Sequence, residues 1–237
     1  MRNKSHFKFK KFTVAHAGST MKVGTDAVLL GAWVTVGQAQ TILDIGTGNG
    51  TIALMLAQRS MEIATIAAVE IEAKDVMQAE ENFKSSPWYG KIQLHHTSIQ
   101  NFFPKGQYDL VVSNPPYFNN SQRPTDARRH QARHTVTLSY QELIDAALRL
   151  LKNNGRFNVI LPFTEGLQFL ELAGSYGLFC TRQYSFRTRS EKPIERWLLE
   201  FSRQQTNTET GEILLYDKDE KWSKGYKKLT TDFYLGI

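Results

Sequence analysis

The segment Asn114-Pro115-Pro116-Tyr117 combines hydrogen-bond acceptors with an aromatic ring, directly after the apolar run 108–113. The two prolines disfavour a helix, and Pro116 has no backbone N–H, so carbonyl groups in this turn can lack partners within the chain. The Asn114 side-chain carbonyl adds an acceptor, and the Tyr117 ring offers a face for stacking. The arrangement suits a planar substrate that carries an amino group, such as adenine or a side-chain amide. A strand followed by an ordinary Pro-Pro turn is the structural alternative.

A second candidate site lies in the glycine-rich turn 46–50, which follows the apolar segment 41–45 and precedes helical spacing of apolar residues. Glycine lets the backbone approach a ligand closely, and the start of the following helix offers unpaired N–H groups. Glu70 ends the next apolar segment, at about the distance of 20 residues expected for an acid that binds ribose hydroxyls. The pattern predicts a nucleoside cofactor. The turn reads G-x-G-x-G and lacks the third glycine of the fingerprint G-x-G-x-x-G, which argues against NAD.

Both candidate sites require parallel strands whose carboxyl ends meet at one edge of a sheet. Strand and helix signals alternate along the chain, which predicts a doubly wound α/β sheet with an antiparallel final strand pair. The predicted strands are 42–45, 63–70, 91–95, 108–113 and 156–161, with the antiparallel pair at 181–189 and 196–201. The predicted helices are 24–34 (as a helix or a turn), 51–59, 74–85 and 140–152.

The clearest predicted helix is 140–152. Ser139 and Glu142 have the spacing of a capping box, and the apolar residues that follow recur on one helical face. Asn154-Gly155 is typical of a helix end. We therefore expect the helix to stop just before this pair.

Length and composition agree with one α/β domain, since 237 residues with 41% hydrophobic side chains can fill a single core. The net charge of +6 favours a polyanionic partner, although an ordinary basic enzyme accounts for it equally well. Cys180 is the only cysteine, which excludes an intrachain disulfide and favours the cytosol. No apolar run is long enough for a secretory signal or a membrane span. We expect a soluble, cytoplasmic protein.

Basic residues mark two segments as candidates for contact with RNA. In the first, Lys8, Lys10 and Lys11 alternate with phenylalanines, and Arg2 and Lys4 precede them. Such a mixture can bind phosphates and stack bases, but an edge strand with one solvated face has the same pattern. The second segment follows Tyr117 and would flank an incoming nucleotide. Its arginines are Arg123, Arg128, Arg129 and Arg133.

A metal site is not expected. His130 and His134 have the spacing of two ligands on a helix, but no third ligand is evident and the neighbouring arginines would repel a cation.

The segments 44–50, Glu70 and 114–117 together resemble the motif set of S-adenosylmethionine-dependent amino-methyltransferases. The resemblance narrows to the bacterial family that methylates N6 of adenine 37 in valine tRNA, and it then covers most of the chain. The segments that carry this narrower resemblance are 9–16, 21–26, 30–33, 86–88 and 131–133.

This resemblance implies a Rossmann-like methyltransferase sheet, S-adenosylmethionine as the cofactor and tRNA as the partner of a protein that we expect to be a monomer. The implied cofactor-binding residues are Lys22, Thr25, Asp26, Asp44, Gly46, Gly48, Gly50, Glu70, Ser98 and Asn114. Ser98 departs from the pattern, because related enzymes often have Asp there. Residues 1–40 are expected to form an amino-terminal extension that contacts RNA and closes over the cofactor through 22–26.

The implied catalytic residues are Asn114, Pro115 and Tyr117. Carbonyl oxygens of the first two would accept the hydrogens of the substrate amine, and Tyr117 would stack on a base that has left its helical stack.

Three other functions stay open at this point. A protein glutamine methyltransferase faces similar chemistry, but the 40 residues before the first predicted strand leave little room for the helical domain that the release-factor enzymes usually have. A DNA or ribosomal RNA adenine methyltransferase would differ only in its recognition surface. A nucleic-acid-binding module without turnover is the third, and the intact segment 114–117 argues against it.

Overall fold

Eight strands form the central sheet of the computed structural model, which describes residues 5–117 and 138–236. The strands are β3 (Thr41–Ile45), β4 (Thr65–Glu70), β5 (Ile92–His96), β6 (Tyr108–Ser113), β7 (Leu151–Pro162), β8 (Phe179–Arg187), β9 (Arg196–Ser202) and β10 (Glu209–Leu214). Their spatial order is β10-β8-β9-β7-β6-β3-β4-β5. A separate antiparallel pair, β1 (His6–Lys8) and β2 (Thr13–Ala15), precedes them in the chain.

Helices cover both faces of this sheet. They are α1 (Thr25–Trp33), α2 (Thr51–Arg59), α3 (Ala73–Lys84), α4 (Tyr140–Leu150), α5 (Phe163–Ser175) and α6 (Lys224–Thr230). The side chains of α1, α2, α3 and α6 share one buried apolar cluster, and those of α4 and α5 belong to the other. Alternate residues of each inner strand enter opposite clusters, as Ile42 and Leu43 do in β3. Burial on both faces explains why these strands are continuous apolar runs.

The sheet confirms the predicted doubly wound order. β3 pairs in parallel with β4 on one side and with β6 on the other, so the chain reverses its direction of travel across the sheet between these neighbours. Ligands of such sheets bind outside the carboxyl ends of the strands at this switch point. The residues after β3, β4 and β6 therefore meet at one edge.

The predicted antiparallel pair is confirmed as β8 and β9. β9 also pairs with β7, so it lies between β7 and β8, and β10 adds a parallel edge strand next to β8. β10, α5 and α6 were not predicted from the sequence. β10 is short and mostly polar, with Gly211 at its centre, so it lacks the apolar pattern of a buried strand.

Helix α4 has the predicted capping box, because Ser139 Oγ accepts from the Glu142 N–H and the Glu142 carboxylate accepts from the Ser139 N–H at 2.8 Å. The predicted end of this helix is wrong. The helix ends at Leu150, and Asn154-Gly155 lies inside β7. A Cβ on Gly155 would lie 2.9 Å from the Tyr108 carbonyl oxygen, so this glycine allows a close approach of β7 to β6.

Hydrogen bonds to the Asp109 carboxylate connect the amino ends of β3, β6 and β7. Its carboxylate accepts from the Gln40 and Thr41 N–H groups and from Lys152 Nζ at 2.8 Å. Burial alone would raise the pKa of Asp109, but the hydrogen bonds from Lys152, Thr41 and Gln40 outweigh it and lower the pKa to about 2. The ionised carboxylate therefore stabilises the folded state.

We expect Asp109→Asn to lower the free energy of unfolding by about 1 kcal/mol at pH 7. The pKa of Asp109 in the folded state lies below its ordinary value of 3.8, so the contribution is complete above pH 3.8 and is lost as the pH falls toward 2. The difference between variant and wild type should therefore shrink in urea titrations at pH 3. Asp145→Asn, on the exposed face of α4, is the control. A difference of equal size at both pH values would contradict this assignment.

Candidate active site

The turn 46–50 connects β3 to α2, and its three glycines adopt left-handed backbones with φ of 69°, 55° and 82°. No described residue lies within 4 Å of a Cβ built on Gly46 or Gly48, so these two positions border open space. A Cβ on Gly50 would lie 2.4 Å from the ring of Phe83. Gly46 and Gly48 thus leave room for a ligand, whereas Gly50 allows the turn to pack against α3.

Glu70 fixes the shape of this turn from the end of β4. Its Oε2 accepts from the Gly48 N–H at 2.8 Å, and its Oε1 accepts from the N–H groups of Ile71 and Glu72. A carboxylate offers about four acceptor positions. Three of them are occupied by backbone N–H groups here, which leaves about one for a ligand hydroxyl.

Asp44 lies beneath the turn and is fully buried. Its Oδ2 accepts from the Thr47 hydroxyl at 2.6 Å. Its Oδ1 has no hydrogen-bond partner of normal geometry among the described residues, although the backbone of Ala53 helps to stabilise its charge. Burial raises the pKa of Asp44 to about 7, and the charge of Glu70 also raises it. Asp44 therefore orders the turn and keeps a buried acceptor available.

The segment 114–117 stands beside the glycine turn. Ser113 Oγ donates to the Ile45 carbonyl at 3.0 Å and joins the end of β6 to the end of β3. Asn114 follows half-buried and Pro115 is buried. No described residue donates a hydrogen bond to the Pro115 carbonyl oxygen. The two predicted acceptors therefore lie at the switch point of the sheet.

Tyr117 is hydrogen-bonded on this edge by a residue of α1. Its hydroxyl lies 2.6 Å from Asp26 Oδ2 and 3.1 Å from Asn114 Oδ1. Arg196 Nε donates to the same Asp26 oxygen at 3.0 Å, and its guanidinium lies over the Tyr117 ring at 5.3 Å. Burial raises the pKa of Tyr117, and the Asp26 carboxylate raises it further. The phenol is therefore protonated at neutral pH.

Arg196 is a site residue that was not predicted from the sequence. It begins β9, which runs antiparallel to β7, and pairs with Pro162 at the end of β7. Its backbone therefore arrives at the edge where the parallel strands end. No local motif marks this position, because only the pairing of distant strands brings it to Tyr117.

A polar stripe on α3 holds the amino-terminal segment against the turn, and it was not predicted from the sequence either. Its members are Asp75, Gln78 and Asn82, three and four residues apart on one helical face and all buried. Asn82 exchanges hydrogen bonds with the backbone of Ala15 and also donates to the Asn49 carbonyl at 2.8 Å. The remaining contacts are Gln78 with the Gly18 N–H and Asp75 with Ser19 and Thr20. The helical spacing of three polar residues was the available signal.

The other predicted cofactor residues lie around this edge. Ser98 follows β5, and its hydroxyl accepts from the Asn101 N–H at 3.3 Å. Thr25 begins α1, and Lys22 precedes it on an exposed stretch. Met21 connects this stretch to the turn, because its carbonyl accepts from Asn49 Nδ2 at 3.0 Å.

The predicted RNA-contacting residues fall into two groups. Lys8, Lys10 and Lys11 are exposed, and Lys10 Nζ donates to the Thr231 carbonyl at 2.6 Å. The phenylalanines of this segment are not available for stacking on bases, since Phe9 and Phe12 are buried and stacked on each other at 4.5 Å and Phe7 packs against Phe9. Their pattern is that of a segment with one solvated face. Arg2, Lys4, Arg123, Arg128, Arg129 and Arg133 lie outside the described residues.

Within 5–117 and 138–236, no group of three His, Cys, Asp or Glu side chains could hold a metal ion. His130 and His134 lie outside those ranges. In the same part of the chain, no helix is both long and apolar enough to cross a bilayer.

Comparison with known proteins places the chain in a class. Residues 12–177 match the family model described as methyltransferase small domain, so the chain belongs to that class of methyltransferases. Among solved structures, a predicted O-methyltransferase from Agrobacterium tumefaciens has a TM-score of 0.70 at 15% identity, covering 88% of this chain and 96% of its own. A ribosomal protein L11 methylase from Lactobacillus delbrueckii subsp. bulgaricus has a TM-score of 0.52 at 18% identity, covering 76% of this chain and 77% of its own. These two confirm the methyltransferase fold.

Curated relatives narrow the class to one family. A tRNA1(Val) (adenine(37)-N6)-methyltransferase from Histophilus somni strain 129Pt is 41% identical over 100% of both chains. The protein of the same name from Yersinia pestis strain Pestoides F is 44% identical over 97% of this chain and 93% of its own. The chain belongs to this family of tRNA (adenine-N6)-methyltransferases.

We expect Glu70→Gln to weaken cofactor binding at least about tenfold, because an amide has one carbonyl oxygen and would turn its NH₂ group toward a backbone N–H of the turn. Isothermal titration with S-adenosylmethionine measures the change. Glu62→Gln, an exposed residue before β4, is the matched control. An unchanged dissociation constant for Glu70→Gln would contradict the role of Glu70 in shaping the turn.

Proposed function

We propose that this protein transfers a methyl group from S-adenosylmethionine to N6 of adenine 37 in the anticodon loop of valine tRNA. The full-length relatives that carry this name support the proposal. The observation that carries it is the pair of acceptors at Asn114 and Pro115, beside the Tyr117 ring and next to the glycine turn. A tRNA substrate also supports a cytoplasmic location.

The glycine turn fits the cofactor. Gly46 and Gly48 border space that any side chain would fill, Glu70 keeps about one acceptor for a ribose hydroxyl, and Asp44 Oδ1 is a buried acceptor without a hydrogen-bond partner of normal geometry among the described residues. When bound, S-adenosylmethionine supplies an electrophilic methyl group on a sulfonium sulfur. Ser98, at the end of β5, would bind the cofactor adenine through its hydroxyl.

The amino-terminal segment would cover the other end of the cofactor. Hydrogen bonds to Asp75, Gln78 and Asn82 hold residues 15–20 beside the glycine turn. The chain then continues through Lys22 to Thr25 at the start of α1. We propose that 22–25 contacts the methionine part of the cofactor. Gly50, which packs on Phe83, would act only by shaping the turn.

The acceptors Asn114 and Pro115 would prepare the substrate nitrogen. The lone pair of the adenine amino group is delocalised into the ring, so this nitrogen is a poor nucleophile. Asn114 Oδ1 and the Pro115 carbonyl oxygen would each accept one amine hydrogen, which favours tetrahedral geometry and stabilises positive charge as it develops on nitrogen. Tyr117 would stack on the extruded base and hold it in line for displacement. No strong general base is required.

Contacts with tRNA would come from basic side chains. Exposed Lys8 and Lys11 are candidates for binding phosphates, and Lys10 is a weaker one because it already donates to the Thr231 carbonyl. Arg123, Arg128, Arg129 and Arg133 stay candidates from the sequence.

Methyl transfer to RNA provides the direct test. The purified protein is incubated with labelled S-adenosylmethionine and total tRNA from a strain that lacks the enzyme, and the modified nucleoside is then mapped. We expect label in N6-methyladenosine at position 37 of valine tRNA. Label in protein would indicate glutamine methylation instead. Label at another base, or only in ribosomal RNA or DNA, would overturn the substrate assignment.

We expect Asn114→Ala to lower kcat by about 10²- to 10³-fold, because one of two acceptors for the developing charge is lost. The dissociation constant of S-adenosylmethionine should change less than about twofold, since the glycine turn and Glu70 are untouched. Single-turnover kinetics and isothermal titration measure the two quantities. Asn154→Ala, an exposed residue in β7, is the control. A fully active Asn114→Ala variant would remove Asn114 from the mechanism.

A further inference from the structure

The phenol of Tyr117 lies between two acceptors. Asp26 Oδ2 is 2.6 Å from the phenol oxygen, and Asn114 Oδ1 is 3.1 Å from it. A tyrosine hydroxyl has one hydrogen to donate, so the two acceptors compete for it. Asn114 Oδ1 is also the oxygen proposed to accept from the substrate amine. The acceptor that receives the phenol hydrogen therefore affects the reaction.

Distance and charge favour Asp26. A hydrogen bond to an ionised carboxylate is shorter and about twice as strong as one to a neutral amide. Burial and the Asp26 charge raise the pKa of Tyr117, so the phenol keeps its hydrogen and acts as a donor. When that hydrogen points to Asp26, no other described residue donates to Asn114 Oδ1, which keeps both lone pairs for the substrate.

Arg196 keeps Asp26 in place for this contact. Its Nε donates to the same carboxylate oxygen at 3.0 Å, and both side chains are partly buried. The guanidinium also lies over the Tyr117 ring. The carboxylate, the phenol and the guanidinium therefore fix one another, and the three residues come from α1, from the turn after β6 and from β9.

We propose that Asp26 is a positioning residue that accepts the hydrogen bond of the Tyr117 hydroxyl. Asn114 Oδ1 is then free to accept a hydrogen bond from the substrate amine. This inference rests on the proposed function, and it gives Asp26 a role other than the cofactor contact expected from the sequence. Arg196 supports the same role by fixing the orientation of the carboxylate.

The test is a double-mutant cycle on kcat in the full-length protein with tRNA. We expect Asp26→Ala to lower kcat about tenfold, because the phenol then donates to Asn114 and competes with the substrate. In the Tyr117→Phe background no phenol hydrogen exists, so adding Asp26→Ala should change kcat less than about twofold. Asp26→Asn should give an intermediate kcat, since an amide oxygen at position 26 still competes for the hydrogen.

Two further measurements separate this role from others. Isothermal titration should give the same dissociation constant for S-adenosylmethionine with and without Asp26→Ala. A higher dissociation constant with unchanged kcat would make Asp26 a cofactor ligand and overturn the proposal. An equal loss of kcat in the Tyr117 and Tyr117→Phe backgrounds would also overturn it. If Asp26→Ala does not fold, the nearly isosteric Asp26→Asn is compared in both backgrounds, and its effect should again vanish in Tyr117→Phe.

The double-mutant cycle can fail separately from the substrate assignment. If wild-type protein methylates no adenine in tRNA, the proposed function fails before any variant is compared. If it methylates another adenine or an amide, the cycle is measured with that substrate and still tests Asp26.

Discussion

Parallel pairing of β3 with β4 on one side and β6 on the other is the constraint on which the site depends. It brings the glycine turn, Glu70 and Asn114 to one edge, although they are far apart in the chain. The pairing is stabilised by apolar clusters on both faces, and the polar side chains of β3, β4 and β6 lie at or next to the ends of these strands. Chemistry is thus confined to the strand ends.

Hydrogen bonds from buried polar groups then fix the positions of these ends. Glu70 receives three backbone N–H groups, Ser113 joins β6 to β3, and the stripe on α3 binds the segment before α1. Each buried group would be costly without its partner, so each contact specifies one arrangement of the turn. The site is therefore largely formed before any ligand binds, which reduces the ordering that binding requires.

The electrostatics of the edge favour acceptors over bases. Burial raises the pKa of Asp44 to about 7 and keeps Tyr117 protonated, while Asn114 and Pro115 contribute neutral oxygens. Such oxygens accept hydrogens from an amine and stabilise charge that develops on it without removing a proton beforehand. Interactions from Arg196 through Asp26 to Tyr117 serve the same end, because they direct the Tyr117 hydroxyl hydrogen away from Asn114.

The sequence by itself determined the inner strands, with β6 predicted at its observed limits, and it identified the glycine turn, Glu70 and the segment 114–117, because apolar periodicity and turn residues are local signals. The tertiary structure alone decided the end of α4, the position of β9 between β7 and β8, and the contacts of Arg196 and of the α3 stripe. Gly155 shows the reason: its local pattern is that of a helix end, yet the neighbouring strand requires a glycine there. Arg196 contacts Tyr117 only because β9 pairs with β7, and no local pattern in the sequence indicates that pairing.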